Sequence, residues 1–90
     1  MNIVQTNTFK QHVKKLHIHE KKDLDDAIRL VVSDPSIGHM KKGDLNGVRV
    51  FKFKMVKQLT LLAYHFIDNK MQLMLLSFGP HENFYRDLSL

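Results

Sequence analysis

Cysteine is absent from this sequence, which excludes a disulfide framework, a thiolate metal site and a thiol nucleophile. There is also no run of about 18 or more apolar residues, the length at which a transmembrane helix becomes a candidate. The polar start, MNIVQTNTFK, lacks the plan of a signal peptide. From these absences we expect a soluble cytoplasmic protein with no membrane partner.

The composition that remains is that of one small, basic domain. Residues 1–90 are 43% hydrophobic, which is enough for one core, and they contain no internal repeat or low-complexity segment. Fourteen Lys+Arg against nine Asp+Glu give a net charge of +5, and six histidines add charge in mild acid. This balance favours polyanions or acidic proteins as partners.

Apolar periodicity predicts a strand and two helices in the first part of the chain. Residues 2–6 are rich in β-branched side chains and form a strand candidate, which we place at or near a sheet edge. Thr8 is the predicted N-cap of the first helix, because Gln11 stands three residues later as in a capping box. A tight turn at residues 17–20 and a second helix over residues 20–33 complete an antiparallel helical hairpin.

Three strands are predicted in the second part of the chain, after a long connection. Residues 36–47 contain three glycines and little periodicity, so we expect a loop there. Strands follow over residues 48–55, 59–67 and 71–78, and residues from 81 or 82 to 90 are consistent with a short helix. The predicted element order is therefore β-α-α-β-β-β-α.

Two lysines alternate with two phenylalanines in the first of these three strands. Phe51 and Phe53 are expected to pack beneath the helices, which leaves Lys52 and Lys54 together on the other face, roughly 7 Å apart at the backbone. Such a pair suits a phosphate backbone or the extra negative charge of a pentacoordinate phosphorane. The alternative is a solvated strand face whose lysines protect it against aggregation.

His81 and Tyr85 are spaced so that one face of a helix would carry both side chains. Imidazole transfers protons near neutral pH and a phenol can donate or polarise. With lysines holding the phosphorane, such groups can cleave an RNA phosphodiester without metal, by taking the 2′-hydroxyl proton and protonating the leaving 5′-oxygen. The alternative is that His81 caps the helix while Tyr85 packs on the sheet edge.

The remaining histidines give weaker signals. His65 lies in the third strand, where it is either a half-buried structural histidine or, in a suitable strand register, a neighbour of the strand lysines. His12, His17 and His19 invite a metal interpretation, but no nearby carboxylates complete a ligand set. We predict no metal and no cofactor.

The element order and the stretch GDLNGVRVFKFK…LTLLAYHFIDNKMQLMLLSFGPHENFY resemble the RelE/ParE toxin superfamily of bacterial type II toxin–antitoxin modules. The most specific parts are G-x-L-x-G-x-R-V at residues 43–50, the strand KFKM, and LLAYHFIDNK leading to LLSFG. The resemblance implies an α+β fold, with an N-terminal strand and a helical hairpin packed on an antiparallel sheet, and a short C-terminal helix.

RelE-type members cut mRNA in the ribosomal A site, and the resemblance implies this activity here. It assigns phosphate binding and 2′-hydroxyl activation to Lys52 and Lys54, and places His81 and Tyr85 in the catalytic set. The chain departs from the family pattern at Leu61, where an arginine is expected, and at Tyr85, which stands two residues early. Further candidates for binding RNA or the ribosome are Arg49, Lys57, His65, Lys10, Lys14 and Lys15.

The resemblance leaves two alternatives open. ParE-type members share the fold, lack the nuclease residues and poison DNA gyrase, and a non-catalytic RNA- or protein-binding module is a second alternative. The implied partners are a cognate antitoxin, together with the ribosome and mRNA or with gyrase. Operator DNA is implied only indirectly, through the antitoxin.

Overall fold

A computed structural model describes residues 1–41 and 47–80. The C-terminal helix predicted from residue 81 or 82, and the middle of the loop predicted at residues 36–47, lie outside the described residues. The helices and strands within them are β1 (Asn2–Gln5), α1 (Asn7–Lys14), α2 (Ile18–Ser33), β2 (His39–Met40), β3 (Arg49–Met55), β4 (Gln58–Ile67) and β5 (Gln72–Pro80). None of the helices in these ranges is long and apolar enough to span a bilayer.

The described strands form one mixed sheet in the order β1-β5-β4-β3-β2. Strands β3, β4 and β5 are antiparallel neighbours, as the hairpin signals predict. Strand β1 lies at the edge, as expected, but it pairs in parallel with β5, so the sheet is not wholly antiparallel. β5, the last described strand in the chain, therefore pairs along its edge with β1, the first. The α1–α2 hairpin follows β1 in the chain and crosses one face of the sheet.

The two helices begin earlier than predicted. Thr6, rather than Thr8, caps α1, because its Oγ1 accepts from the backbone N–H of Phe9 at 3.1 Å. The same hydroxyl donates to the carbonyl of Leu76 in β5 at 2.7 Å, so the cap also joins the helix to the sheet. Helix α2 begins at Ile18, with His17 as its N-cap. The Glu20 carboxylate accepts from the backbone N–H of His17 at 2.9 Å, as in a capping box.

The helical hairpin covers one face of the sheet and forms the main core. Phe9 of α1 meets Phe78 of β5 edge to face, with ring centroids 5.1 Å apart. Phe51 and Phe53 pack partly buried against the same core, which confirms the predicted orientation of β3. Nine buried side chains make up this core: Phe9, Leu24, Val31, Met55, Leu62, Tyr64, Leu73, Leu75 and Phe78.

The β3–β4 hairpin turns at two residues that both have positive φ. Val56 has φ 47° and Lys57 has φ 70°, the pattern of a type I′ turn. A β-branched residue in this region is strained by about 1–3 kcal/mol. The Asp23 carboxylate of α2 accepts from the backbone N–H of Val56 at 2.7 Å, so the helix holds this turn in place.

Candidate nucleic-acid interface

Lys52 and Lys54 lie on the face of the sheet opposite the helical hairpin, which we call the outer face. In β3 they alternate with Phe51 and Phe53, and both lysine side chains are exposed. All three ion pairs found among the described residues lie within α2, so neither lysine is neutralised by a carboxylate there. The pair is therefore available to a phosphate group.

An apolar strip lies beside these lysines on the outer face. Lys52 pairs across the strands with Leu61, and Leu61 pairs in turn with Gly79. Leu61 is fully buried and packs with Val50 and Ala63 in a second, smaller cluster. A Cβ added at Gly79 would meet nothing within 4 Å among the described residues. The position where the family pattern has an arginine thus carries an apolar contact in this chain.

The strand register does not bring His65 next to either lysine. Lys52 pairs with Leu61, four residues before His65, which corresponds to about 13 Å along the strand. His65 is half-buried, and its Nε2 would lie 3.6 Å from a Cβ built at Gly47. It therefore lies at the end of the sheet where β3 begins and β4 ends.

The other lysines proposed from the sequence form separate surfaces. Lys57 is exposed in the β3–β4 turn, at the end of the sheet far from His65. The three lysines of the α1 region are also exposed, but α1 packs on the helix-covered face through Phe9. The described structure therefore does not place Lys10, Lys14 and Lys15 with the lysines of the outer face.

Arg49 is already engaged in holding the chain that follows α2. Its Nη1 donates to the carbonyl oxygens of Gly38 at 2.9 Å and Ser36 at 3.4 Å. Its cross-strand partner Tyr64 acts on the same loop: the phenol donates to the Pro35 carbonyl at 2.6 Å and accepts from the Gly38 N–H at 2.9 Å. Burial raises the pKa of Tyr64, so the hydroxyl remains protonated and can donate.

A cleft of about 440 Å³ opens where this loop meets the end of the sheet. We call it the loop cleft. Asp34, whose pKa is lowered by hydrogen bonds from the Ser36 hydroxyl and backbone, is ionised at its rim. Asp34, Ser36 and Asp68 are far apart or irregularly spaced in the sequence, so no local pattern connects them with one site. The loop cleft is lined by Asp34, Pro35, Ser36, Met40, Gly47, Arg49, His65, Phe66 and Asp68.

The two remaining catalytic candidates, His81 and Tyr85, lie outside the described residues. Within the described ranges, no group of three or more His, Cys, Asp or Glu side chains is placed to hold a metal ion. The described part of the candidate interface therefore consists of two exposed lysines, an apolar strip and the loop cleft at one end.

A family model described as "ParE-like toxin of type II bacterial toxin-antitoxin system" matches residues 3–89. The chain belongs to this family. The resemblance to the RelE/ParE superfamily is therefore confirmed over almost the whole sequence. No curated protein sequence matches this ParE-like toxin at a significant level.

Solved structures support the fold of this ParE-like toxin. A chain of the intact Escherichia coli RelBE toxin–antitoxin complex superposes with a TM-score of 0.72 at 19% identity, covering 88% of this chain and 94% of that chain. The YoeB/ParE toxin from Agrobacterium tumefaciens gives a TM-score of 0.70 at 17% identity, covering 90% and 99% respectively. A mutant E. coli RelE in complex with an antitoxin RelB peptide gives 0.70 at 18% identity, covering 99% and 93%. At these identities the comparisons show the shared α+β architecture.

Proposed function

We propose that this ParE-like toxin is a ribosome-dependent mRNA endoribonuclease. The observation that carries the proposal is the pair Lys52 and Lys54, exposed on one face of β3 and without a carboxylate partner among the described residues. Two adjacent ammonium groups stabilise the dianionic phosphorane that forms when RNA is cleaved at phosphorus. A strand face that only contacts solvent does not require two lysines side by side without a carboxylate partner.

The proposed reaction needs no metal. The 2′-oxygen loses its proton and bonds to the adjacent phosphorus, while the bond from phosphorus to the 5′-oxygen breaks and that oxygen takes up a proton. The products are a 2′,3′-cyclic phosphate and a free 5′-hydroxyl. Lys52 and Lys54 hold the phosphate, and we assign the proton transfers to His81 and Tyr85.

A cognate antitoxin is the proposed protein partner. Two of the similar E. coli structures contain the antitoxin, one as the intact RelBE complex and one as RelE with a RelB peptide. By analogy, an antitoxin segment that covers the outer face would block the lysine pair. Operator DNA would then be contacted through the antitoxin rather than by this chain.

Gyrase inhibition is the second candidate function, and one observation favours it. Leu61 is fully buried between Lys52 and Gly79, where a nuclease of this pattern would carry an arginine. An interface with less cationic charge fits a protein target better than RNA. A module that only binds RNA or protein is the remaining alternative.

Induced expression in a bacterial host, with mapping of RNA ends, separates these functions. The nuclease proposal expects translation to stop and mRNA to be cut within codons, and expects Lys52→Ala with Lys54→Ala to reduce cutting about 100-fold or more. Lys22→Ala is the matched control, because Lys22 is an exposed lysine of α2 paired with Asp26. Filamentous cells with a DNA-damage response and intact mRNA would instead support gyrase, and unaffected growth would exclude both toxic activities.

His81→Ala and Tyr85→Phe test the chemical step. Both variants are expected to relieve toxicity while the chain still folds and still binds its antitoxin. Retained toxicity in both variants would remove these residues from the mechanism.

A further inference from the structure

The loop cleft contains polar groups whose hydrogen-bonding capacity is not used within the described structure. His65 and the Asp68 carboxylate make no side-chain hydrogen bond there. Asp34 uses Oδ1 for its two bonds from Ser36, which leaves Oδ2 free, and Arg49 uses only Nη1 for its two carbonyl bonds. Donors and acceptors that lack an internal partner therefore line one concave surface.

Hydrogen bonds from the sheet hold the wall of the loop cleft. Tyr64 and Arg49, neighbours across β4 and β3, together fix the backbone at Pro35, Ser36 and Gly38 through four hydrogen bonds. A Cβ at Gly38 would lie 2.7 Å from the Tyr64 hydroxyl, so the loop is held directly against the phenol. A site built this way loses little conformational entropy when it binds a ligand.

The shape and chemistry of the loop cleft fit a flat ligand that carries both donors and acceptors. Its volume of about 440 Å³ lies within the range of about 300–1,000 Å³ that is usual for small-molecule sites. Phe66 and Pro35 contribute apolar surface on which a ring can lie. The carboxylates accept hydrogen bonds and the guanidinium donates them, so a phosphate group alone is a poor ligand next to two aspartates.

From these features we infer that the loop cleft binds a guanine base of single-stranded RNA. Guanine presents adjacent N1–H and N2–H₂ donors that a carboxylate accepts, and O6 and N7 acceptors to which arginine donates. Single-stranded RNA is commonly recognised through unstacked bases laid on apolar or aromatic side chains. The inference rests on the proposed RNA substrate and assigns to it a base-recognition site.

The position of the loop cleft agrees with this assignment. Within the cleft lining, His65 shares the outer face with Lys52, about 13 Å along the strand. Arg49 and Phe66 lie on the helix-covered side, so the cleft opens at the end of the sheet, where the two faces meet. A single strand of RNA whose phosphate lies on the lysines can therefore reach the cleft by running along β3 to the end of the sheet. The cleft would then influence where in a message the chain cuts.

Titration of the ¹⁵N-labelled full-length chain with mononucleotides tests the inference. The probes are GMP, AMP, CMP, UMP and ribose 5-phosphate, which lacks a base. GMP is expected to shift the amide resonances of Ser36, Gly47, His65 and Asp68 at concentrations where the other probes leave them unchanged. Equal shifts from ribose 5-phosphate would identify a phosphate site and overturn the inference. Shifts from arginine amide but not from GMP would assign the cleft to a basic peptide and also overturn it.

Two variants locate the binding without disturbing the loop. Asp68→Asn and His65→Ala are each expected to weaken GMP binding about tenfold, which corresponds to the loss of one hydrogen bond to the base. Asp25→Asn is the matched control, because Asp25 is a carboxylate of α2 paired with Lys21 and remote from the cleft lining. Arg49 is left intact because its loop contacts would be lost with it. Unchanged GMP affinity in both cleft variants would refute the assignment.

RNA cleavage distinguishes failure of this inference from failure of the proposed nuclease function. If the chain cuts mRNA, the cuts made by Asp68→Asn are expected to lose a preference for guanine that the cuts made by the control variant Asp25→Asn keep. Cutting with an unchanged preference would refute the inference and leave the nuclease proposal intact. Guanine-selective binding by a chain that cuts no RNA would refute the nuclease proposal and support the base site.

Discussion

The two faces of the sheet differ in the size of their buried hydrophobic clusters. The helix-covered face contributes to a core of nine buried residues drawn from both helices and three strands. The outer face has a smaller hydrophobic cluster of three buried residues, Val50, Leu61 and Ala63, all from β3 and β4. Its exposed residues include Lys52 and Lys54. Buried apolar contacts are therefore concentrated on one face, and the exposed lysine pair of β3 is on the other.

Neighbouring leucines of β4 provide the most direct test of this comparison. Leu62 and Leu61 are both fully buried but belong to the main core and to the outer cluster respectively. We expect Leu62→Ala to lower the free energy of unfolding by about 3–5 kcal/mol and Leu61→Ala by about 2–3 kcal/mol, because the larger core leaves a less collapsible cavity. Urea unfolding of both variants measures the difference. A loss at Leu61 equal to that at Leu62 would contradict the unequal roles of the two faces.

Two glycines test how tightly each face is packed. A Cβ at Gly38 would lie 2.7 Å from the Tyr64 hydroxyl, whereas a Cβ at Gly79 would meet nothing within 4 Å. We expect Gly38→Ala to destabilise the protein by about 2–3 kcal/mol through overpacking and displaced hydrogen bonds. Gly79→Ala is the matched control, expected to change stability by less than about 0.5 kcal/mol. Thermal unfolding of the two variants measures this difference. Similar melting temperatures would show that the loop at Gly38 moves to accommodate the added methyl group without loss of stability.

The β3–β4 turn tests the connection between the helices and the rim of the sheet. Asp23→Ala removes the acceptor of the Val56 N–H, and we expect a loss of about 1–2 kcal/mol. Asp25→Ala on the same helix removes only an exposed pair with Lys21, so we expect about 0.5 kcal/mol or less. Denaturant midpoints of the two variants provide the measurement.

Replacing Val56-Lys57 by Asn-Gly is the converse test of the same turn. We expect a gain of about 1 kcal/mol, because asparagine and glycine adopt positive φ with little strain. A loss of stability in this variant would show that the turn is not strained.

The smallest expected effect is the acid response of Asp34. Hydrogen bonds from Ser36 lower the pKa of Asp34 below its ordinary value of 3.8. A carboxyl whose pKa is lower in the folded state adds stability above the unfolded pKa, and this contribution is lost as pH falls through the folded pKa. The stability difference between the parent chain and Asp34→Asn should therefore be constant at neutral pH and diminish below about pH 4. Urea unfolding from neutral pH down to about pH 2.5 checks it, and a difference independent of pH would contradict the assignment.

Local patterns predicted the parts of the fold that depend on side-chain alternation. The separation of Phe51 and Phe53 from Lys52 and Lys54 followed from the two-residue period of a strand, and the structure confirms it. The helical hairpin and the order of the last three strands followed from apolar periodicity and turn residues. Each of these features is determined by residues close together in the chain.

What the sequence could not predict depends on contacts between distant residues. Thr6 caps α1 because its hydroxyl also bonds to Leu76 of β5, which no local pattern records. The position of His65 depends on the register of β3 and β4, and the loop cleft on a loop held by Tyr64 and Arg49. The catalytic roles of Lys52, Lys54, His81 and Tyr85 stay predictions, because family membership and geometry do not measure activity.

The parallel pairing of β1 with β5 has a consequence for synthesis of the chain. Thr6 and Leu76, which hydrogen-bond at this pairing, are separated by 70 residues. The N-terminal end of a nascent chain leaves the ribosome first. β1 therefore has no partner strand until β5 has been synthesised. Contacts of such long sequence separation also form slowly. The five-stranded sheet is therefore completed late, only after β5 has left the ribosome.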